Sequence, residues 1–239
     1  MHVITFATQK GGTGKSTLAT SLGVVAEAAG ERVCVLDLDP QGTSANWYES
    51  RAAETPAVID HETAGDLEET LGKLRAAGFT LAIIDTPGSD THATRGAMRA
   101  ADLTLIPVRP SEADLKATMP TVRALRSLER PFAFVINQAP TQRQTRLTAT
   151  VSLRLAGEGA VAPVAVGARI DHQYAYALGQ GVSEYASDGK AAAEVAELWT
   201  WCRKKMETKD AREEERGARS ARSRPTSGAR TRAHVIAAE

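Results

Sequence analysis

Short apolar runs alternate with longer stretches of helical period along most of the chain. Apolar runs of this kind are typical of strands buried on both faces, and the stretches between them are typical of the helical crossovers of βαβ units. The predicted strands are 3–7, 32–36, 79–84, 103–108, 132–136 and 161–166, with a weaker candidate at 57–60. The pattern therefore predicts an α/β fold, a doubly wound, mostly parallel sheet of about seven strands flanked by helices.

The helical stretches have polar and apolar positions spaced for one buried face. They are 15–29, 64–77, 91–100, 111–128, 143–155 and 189–206. Pro120 is predicted to kink or divide the fourth helix, because proline lacks an amide hydrogen and clashes with the preceding turn. The last helix carries an apolar stripe suited to closing the core and is predicted to end near Met206.

The C-terminal residues differ in composition from the rest. Residues 203–239 contain eleven Lys or Arg against six Asp or Glu, and residues 209–232 show no apolar periodicity. Such a segment cannot bury enough apolar surface to offset the entropy of ordering the chain. We therefore predict one domain over residues 1–206 and a basic, disordered tail over residues 207–239.

The overall charge is balanced, with 29 basic and 29 acidic side chains. This balance argues against a protein made mainly to coat nucleic acid or an anionic membrane. Cys34 and Cys202 lack the spacing of metal ligands and are predicted to be buried, reduced thiols. Because no apolar stretch is long enough to span a membrane and no signal peptide is evident, a cytoplasmic protein is expected.

The loop between the first predicted strand and the first predicted helix carries the sequence KGGTGKST at residues 10–17. A glycine-rich loop in this position can hold phosphate oxygens with its backbone amides and with the positive end of the helix. Lys15 would bridge the β- and γ-phosphates, Ser16 would place its hydroxyl on Mg²⁺, and Thr17 would reach the α-phosphate. The remaining members of the predicted nucleotide cradle are Gly11, Gly12, Thr13 and Gly14.

The loop departs from the standard P-loop pattern at one position. The first glycine of that pattern would stand at Gln9, and Lys10 follows it instead. Lys-Gly-Gly-x-Gly-Lys-Ser resembles the deviant Walker A motif of ParA/MinD ATPases, and the resemblance extends over residues 1–206. It is closest to small ParF-like partition ATPases. The resemblance implies an ATP-dependent homodimer in which Lys10 reaches the phosphates bound by the partner subunit.

Three carboxylates follow predicted strands. Asp37 and Asp39 follow the second strand, and Asp85 follows the apolar run at 79–84. Ligands bind at the carboxyl ends of strands in doubly wound sheets. The resemblance implies that Asp39 orients the attacking water and that Asp85, supported by Asp37, holds Mg²⁺ with Ser16. Capping of a helix that begins near Thr43 is the alternative for the first two aspartates, and a turn is the alternative for Asp85.

Asn137 follows the strand at 132–136. Its place in chain order resembles that of the family asparagine that contacts adenine. A turn residue that bonds its own backbone is the alternative.

The resemblance implies a Mg²⁺-dependent ATP hydrolase that segregates DNA. Its ATP-bound dimer would bind DNA without sequence preference and be released when a ParB-like or centromere-binding adaptor stimulates hydrolysis. Such a protein would be cytoplasmic and associated with the nucleoid. Candidate DNA contacts are Arg143, Arg146, Arg154 and Arg169, for which solvated surface arginines are the alternative.

Other functions remain open on the sequence alone. The same dimer could position a protein cargo such as a chemoreceptor array, a carboxysome or a polar complex. A MinD-type membrane ATPase is less favoured, because residues 209–232 contain no Leu, Ile, Val, Phe or Trp to bury in a membrane interface, so no stable membrane binding is expected. A metabolic enzyme would need chemical groups, such as clustered cysteines, that this sequence does not offer.

Overall fold

The computed structural model describes residues 1–141 and 145–222. The strands are β1 (His2–Phe6), β2 (Val33–Asp37), β3 (Ala57–Ile59), β4 (Leu81–Asp85), β5 (Leu103–Val108), β6 (Phe132–Ile136) and β7 (Ala160–Val161). The helices are α1 (Lys15–Ala28), α2 (Thr43–Glu49), α3 (His61–Ala64), α4 (Leu67–Ala76), α5 (His92–Ala100), α6 (Glu112–Ser127), α7 (Thr145–Ala156), α8 (Asp171–Ala177), α9 (Val182–Tyr185) and α10 (Lys190–Arg222).

The seven strands form one sheet in the order β3-β2-β4-β1-β5-β6-β7, and every neighbouring pair is parallel. Parallel neighbours require crossover connections, and helices supply them on both faces. The predicted fold class is confirmed. The order reverses direction at β1, the strand that leads into the loop at residues 10–17, so this loop lies where open α/β sheets bind ligands.

Alternate residues of the central strands pack on opposite faces of the sheet. Ile4 and Phe6 of β1 lie in a core shared with α1, α8, α9 and the first part of α10. Val3 faces the other way, into a core with α4 and α5. Because both faces are covered, the strands are apolar at nearly every position, which is why their sequences read as continuous runs.

The last strand is shorter than the sequence pattern predicts. β7 covers Ala160–Val161, whereas the prediction was 161–166. Pro163 has no amide hydrogen to donate to a neighbouring strand. Pairing with β6 nevertheless continues at single positions: the Ala162 amide donates to Phe134 at 2.8 Å, and the Val166 amide donates to Ile136 at 2.9 Å. The segment stays beside β6 without forming a regular strand.

Three helices, α6, α8 and α9, also differ from prediction. α6 is one continuous helix that contains Pro120, so the expected division does not occur. On the C-terminal side of the proline, its residues Val122 and Leu125 are buried in a core with β5 and β6. The short helices α8 and α9 were not predicted, because neither is long enough to show a period.

The chain divides into two compact units, Met1–Met206 and Glu207–Glu239. α10 continues to Arg222, so the backbone of residues 207–222 is helical where the sequence analysis expected disorder. This stretch is rich in Arg, Glu and Ala, which are strong helix formers that need no apolar face to extend a helix already begun. Residues 223–239, the rest of the predicted tail, lie outside the described residues.

The two cysteines are free and buried, as predicted. Burial raises the pKa of Cys34 to about 12 and also raises the pKa of Cys202. Among the described residues, no helix combines the length and the apolar character needed to cross a membrane.

Candidate functional site

The loop at residues 10–17 joins the end of β1 to the start of α1, as the sequence predicts. Gly12 and Gly14 have positive φ values of 73° and 87°, which L-residues with a side chain rarely adopt. A Cβ on Gly14 would lie 2.4 Å from Nδ2 of Asn137, and a Cβ on Gly88 would lie 3.3 Å from the amide nitrogen of Gly11. These two close approaches mean that the loop is enclosed by neighbouring strand ends on both sides.

Lys15 is the first residue of α1 and is buried. Burial lowers the pKa of Lys15, and the nearby carboxylates of Asp85 and Asp39 oppose that shift. A buried ammonium group requires negative partners, because removing a charge from water is costly. Lys15 therefore lies in a pocket suited to a polyanion, with two predicted site carboxylates beside it.

Asp37 ends β2 and caps α2. Its Oδ2 accepts hydrogen bonds from the amides of Ser44 at 2.7 Å and Ala45 at 3.0 Å, and its Oδ1 accepts one from the amide of Asp39 at 3.1 Å. Burial raises the pKa of Asp37, and these three backbone bonds oppose the rise. The capping alternative is what the structure shows for this side chain, because both of its oxygens are engaged by backbone.

Asp85 ends β4 and is fully buried. Its Oδ2 accepts a hydrogen bond from Ser44 Oγ at 2.9 Å, whereas its Oδ1 is buried without a hydrogen-bond partner among the described residues. Burial raises the pKa of Asp85 to about 7; the Ser16 hydroxyl opposes the rise, Asp37 adds to it, and Ser44 and Lys15 also oppose it. An oxygen in this state is suited to a cation, which would replace the missing partner.

Asp39 lies in the loop between β2 and α2 and is partly exposed. Its side chain accepts a hydrogen bond from the amide of Gln41 at 3.0 Å and caps no helix. The capping alternative therefore applies to Asp37 and does not apply to Asp39. Of the three predicted carboxylates, Asp39 is the one whose side chain is partly exposed, and it lies near Lys15.

Asn137 contacts the loop directly. Its Nδ2 donates to the carbonyl oxygen of Thr13 at 2.7 Å, and Nε2 of Gln138 donates to the carbonyl oxygen of Gly12 at 3.1 Å. Neither amide bonds its own turn, which was the alternative for Asn137. The two side chains instead attach the end of β6 to the loop at residues 10–17.

A cavity of about 560 Å³ adjoins this contact. Its lining includes Gly14, Thr17, Asn137, Arg169, His172 and Tyr176. The volume falls in the range of ligand sites, roughly 300–1,000 Å³. The wall formed by Gly167 to Tyr176 was missed by the sequence analysis, because this stretch carries no recognised motif and forms only a short helix.

Tyr176 joins this cavity to the carboxylate cluster. Its hydroxyl donates to the carbonyl oxygen of Thr43, the first residue of α2. Burial raises the pKa of Tyr176 to about 12, and Asp85 and Asp37 reinforce the shift. Nearby, Nε1 of Trp47 donates to the carbonyl oxygen of Gln180 at 3.1 Å. α2 is thus attached to the segment that forms the far wall of the cavity.

Lys10 is bonded within its own chain. Its Nζ lies 3.0 Å from Oδ1 of Asp114, which is buried near the start of α6. Asp114 also accepts a hydrogen bond from Nε of Arg109 at 3.1 Å. Asp114 was not predicted from the sequence, because no local signal connects the start of α6 with the loop at residues 10–17.

The four predicted DNA-contacting arginines are not equivalent. Arg169 pairs with Glu194 and is largely buried, and Arg154 pairs with Glu112 on the surface. Arg146 is exposed, and Arg143 lies outside the described residues. Of the three that are described, Arg154 and Arg169 are therefore already paired with carboxylates, and Arg169 also lines the cavity.

Comparison with known proteins identifies the family. A family model described as the CobQ/CobB/MinD/ParA nucleotide binding domain matches residues 4–165. The chain belongs to this family. The match includes the loop at residues 10–17, Asp39, Asp85 and Asn137, so the predicted family resemblance is confirmed.

Two relatives carry names that describe positioning or partition. The chain is 38% identical over 86 residues to the maintenance of carboxysome distribution protein A of Gloeobacter kilaueensis, and 52% identical over 42 residues to the chromosome partitioning protein ParA of Caulobacter vibrioides. These matches cover 36% and 18% of this chain. They span only 38% of the first relative and 16% of the second, so they concern part of each protein.

The fold is also that of solved structures in the family. Apo McdA from Cyanothece superposes with a TM-score of 0.67, covering 82% of this chain and 98% of that one, at 20% sequence identity. At this identity the likeness concerns the fold, which agrees with the parallel sheet described above.

Proposed function

We propose that this chain is a Mg²⁺-dependent ATP hydrolase whose nucleotide state controls a positioning switch, with DNA segregation as its function. The observation that carries the proposal is the arrangement around one loop: Lys10 and Lys15 lie in the same glycine-rich loop, and Lys15 is buried beside Asp39 and Asp85. This arrangement provides for phosphate binding, for a metal ion and for activation of water in one place.

The binding of ATP would use two regions. Lys15 and the amides of the loop would hold the phosphates, because they combine a buried cation with the N-terminus of a 14-residue helix. The base would enter the cavity beside Asn137 and Tyr176. Asn137 also bonds Thr13, so the base site and the phosphate site share a wall.

The residues present fit a magnesium ion. Ser16 and Asp85 provide a hydroxyl and a carboxylate oxygen, and Oδ1 of Asp85 is buried without a hydrogen-bond partner among the described residues. Mg²⁺ prefers oxygen ligands and is often held by one or two protein groups together with phosphates. When bound, the ion would neutralise phosphate charge. Asp37 would support the site indirectly, because it fixes α2 and thereby Ser44, which bonds Asp85.

Hydrolysis would depend on Asp39. Phosphoryl transfer to water requires a group that orients the water in line with the γ-phosphate. Asp39 is partly exposed and lies near Lys15, whereas Asp37 and Asp85 are fully buried. Asp39 is therefore the carboxylate that we assign to the water.

The ATP-bound form would be a homodimer in which Lys10 contacts the nucleotide of the partner subunit. We further propose that this dimer binds DNA without sequence preference and is released by an adaptor of the ParB or centromere-binding kind. The partition protein from Caulobacter vibrioides supports this choice of cargo. Such a protein would reside on the nucleoid in the cytoplasm, with no stable attachment to membranes.

Retention on random-sequence duplex DNA tests the DNA step. Retention should require Mg-ATP, be lost in Lys15→Ala, and fall steeply as salt rises, because phosphate contacts release counterions. Arg146→Ala should weaken retention, whereas Arg154→Ala, which removes an arginine already paired with Glu112, should have less effect. Retention that is independent of ATP, or absent at low salt, would rule out the DNA step.

Positioning of a protein cargo is a second candidate, favoured by the match to a carboxysome distribution protein. The phenotype of cells that lack this protein distinguishes the two functions. Loss of a replicon at division supports DNA segregation, whereas stable replicons with misplaced protein assemblies support a protein cargo. Expression of the wild-type protein in these cells should correct either defect, whereas expression of Lys15→Ala should not.

A further inference from the structure

The described structure holds Lys10 in an ion pair that is incompatible with its proposed role in a dimer. Nζ of Lys10 lies 3.0 Å from Oδ1 of Asp114 in the same chain. The Asp114 side chain is only 4% exposed, and that of Lys10 is 28% exposed. Solvent and salt screen an ion pair with one buried member less than they screen a surface pair. The attraction of Asp114 therefore helps to hold the Lys10 ammonium group in this position.

Asp114 is held rigidly. It accepts a hydrogen bond from the Ser111 hydroxyl, and its own amide donates to Ser111 Oγ at 3.1 Å, so it belongs to the cap of α6. Burial by itself would raise the pKa of Asp114, but the hydrogen bonds from Ser111, Lys10 and Arg109 outweigh it and lower the pKa. The carboxylate is therefore fixed in position and charged.

Arg109 makes the pair reversible. Its Nε lies 3.1 Å from the same Oδ1 that Lys10 contacts. Two cations thus share one carboxylate. When Lys10 leaves, Asp114 keeps Arg109 and Ser111, so a buried charge is not left without a partner. Release of Lys10 should therefore cost much less than the breaking of an isolated buried pair.

We propose that Asp114 is a positioning residue that retains Lys10 within its own subunit and so sets how readily the ATP-bound dimer forms. This inference rests on the proposed ATP-dependent dimer. Asp114 and the nucleotide of the partner subunit compete for the same ammonium group, and a competitor of this kind weakens dimerisation by its own share of the binding energy. Arg109 moderates the competition, because it also neutralises Asp114.

The two side chains give opposite predictions. Asp114→Asn removes the competing charge but can keep the hydrogen bonds with Ser111 and Arg109, so it should tighten the dimer about tenfold, within the usual range of coupling between sites. Arg109→Gln removes the alternative partner of Asp114, so Lys10 should be held more firmly and the dimer should weaken. General damage to the fold would weaken the dimer in both variants.

Sedimentation equilibrium of the full chain with Mg²⁺ and a non-hydrolysable ATP analogue measures the dimer dissociation constant. Asp114→Glu, which keeps the charge, should remain near the wild-type value. In a Lys10→Ala background, which should not dimerise, Asp114→Asn should not restore dimerisation, because the competitor acts only through Lys10. Nucleotide affinity, measured separately, should not change in Asp114→Asn.

The outcomes distinguish this inference from the proposed function. If wild type dimerises with nucleotide and Asp114→Asn does so equally or less tightly, Asp114 does not restrain Lys10. If neither protein dimerises at any concentration, the proposed dimer itself is wrong, and this inference with it. Should Asp114→Asn fail to fold in a thermal unfolding control, Arg109→Gln decides: an unchanged or tighter dimer overturns the inference.

Discussion

Asp37 and Asp85 are register partners on neighbouring parallel strands, where each is the last residue of its strand. Both are fully buried, yet they have different surroundings: backbone amides engage both oxygens of Asp37, whereas one oxygen of Asp85 has no partner among the described residues. Two adjacent carboxylates of the same type are thereby assigned different roles, one structural and one available to a cation.

The raised pKa of Asp85 predicts how the stability of the nucleotide-free protein depends on pH. The pKa is about 7 in the folded protein, compared with an ordinary value of 3.8. The folded state therefore holds the proton more tightly, and its contribution to stability is present at low pH and lost as pH rises from about 4 to about 7. The loss should be at most about 1.4 kcal/mol per pH unit.

Chemical denaturation at a series of pH values measures this dependence, with Asp85→Asn as the control that should flatten it over the same range. Saturating Mg-ATP should also reduce the slope, because the cation replaces the proton. A wild-type slope identical to that of Asp85→Asn would show that Asp85 is ionised in the same way in both states.

Ser44 should be important for both stability and metal binding. Its hydroxyl donates to Asp85 Oδ2 at 2.9 Å in a fully buried position, so Ser44→Ala removes this hydrogen bond from a buried carboxylate. We expect a loss of about 1–2 kcal/mol in the free energy of unfolding. Ser50→Ala, at the exposed end of the same helix, is the matched control and should change little. Equal losses in both would contradict a specific role for Ser44.

Gly14→Ala should abolish nucleotide binding. The new Cβ would lie 2.4 Å from Nδ2 of Asn137, at a backbone φ of 87°. Strain of this kind costs on the order of 1–3 kcal/mol and would distort the loop that holds the phosphates. Gly72→Ala is the matched control: it lies in α4 with no atom within 4 Å of the new Cβ, and should stabilise the helix by about 0.5–1 kcal/mol. Isothermal titration with ATP and thermal unfolding measure the two effects.

Asp39→Ala should bind ATP and form dimers but hydrolyse ATP poorly. The physical reason is that the proposed mechanism assigns Asp39 to the water, whereas it assigns the phosphates to Lys15 and the loop at residues 10–17. Single-turnover hydrolysis should fall by about 10²-fold or more, in line with the loss of a group that positions a reactant. A monomeric Asp39→Ala protein in saturating Mg-ATP would contradict this division of roles.

Lys10→Ala should bind ATP but fail to form the dimer, whereas Asp39→Ala should do both. Lys10 is paired with Asp114 within the chain, so its removal should leave ATP affinity close to the wild-type value while the dimer is lost. Fluorescent nucleotide titration and sedimentation measure the two properties independently. A Lys10→Ala protein that dimerises normally would remove Lys10 from the interface.

The parts of the fold and site that were predicted correctly depend on neighbours in the sequence. The boundaries of β5 and β6 were predicted to the residue, because apolar runs mark strands buried on both faces. β7 was overestimated, since Pro163 interrupts the pairing that its apolar neighbours suggest. In α10, the helix extends past Met206, because strong helix formers continue it without an apolar face.

The sequence by itself determined the position of the glycine-rich loop at residues 10–17, the parallel sheet around it and the membership of the family, because these residues form one contiguous motif between a strand and a helix. Tertiary structure decided that Asp37 caps a helix while one oxygen of Asp85 finds no partner in the described part of the chain, that the segment from Gly167 to Tyr176 closes the cavity, and that Lys10 pairs with Asp114. The physical reason is that burial, charge and hydrogen bonding at these positions come from strands and helices far apart in the chain, and local patterns carry no record of such contacts.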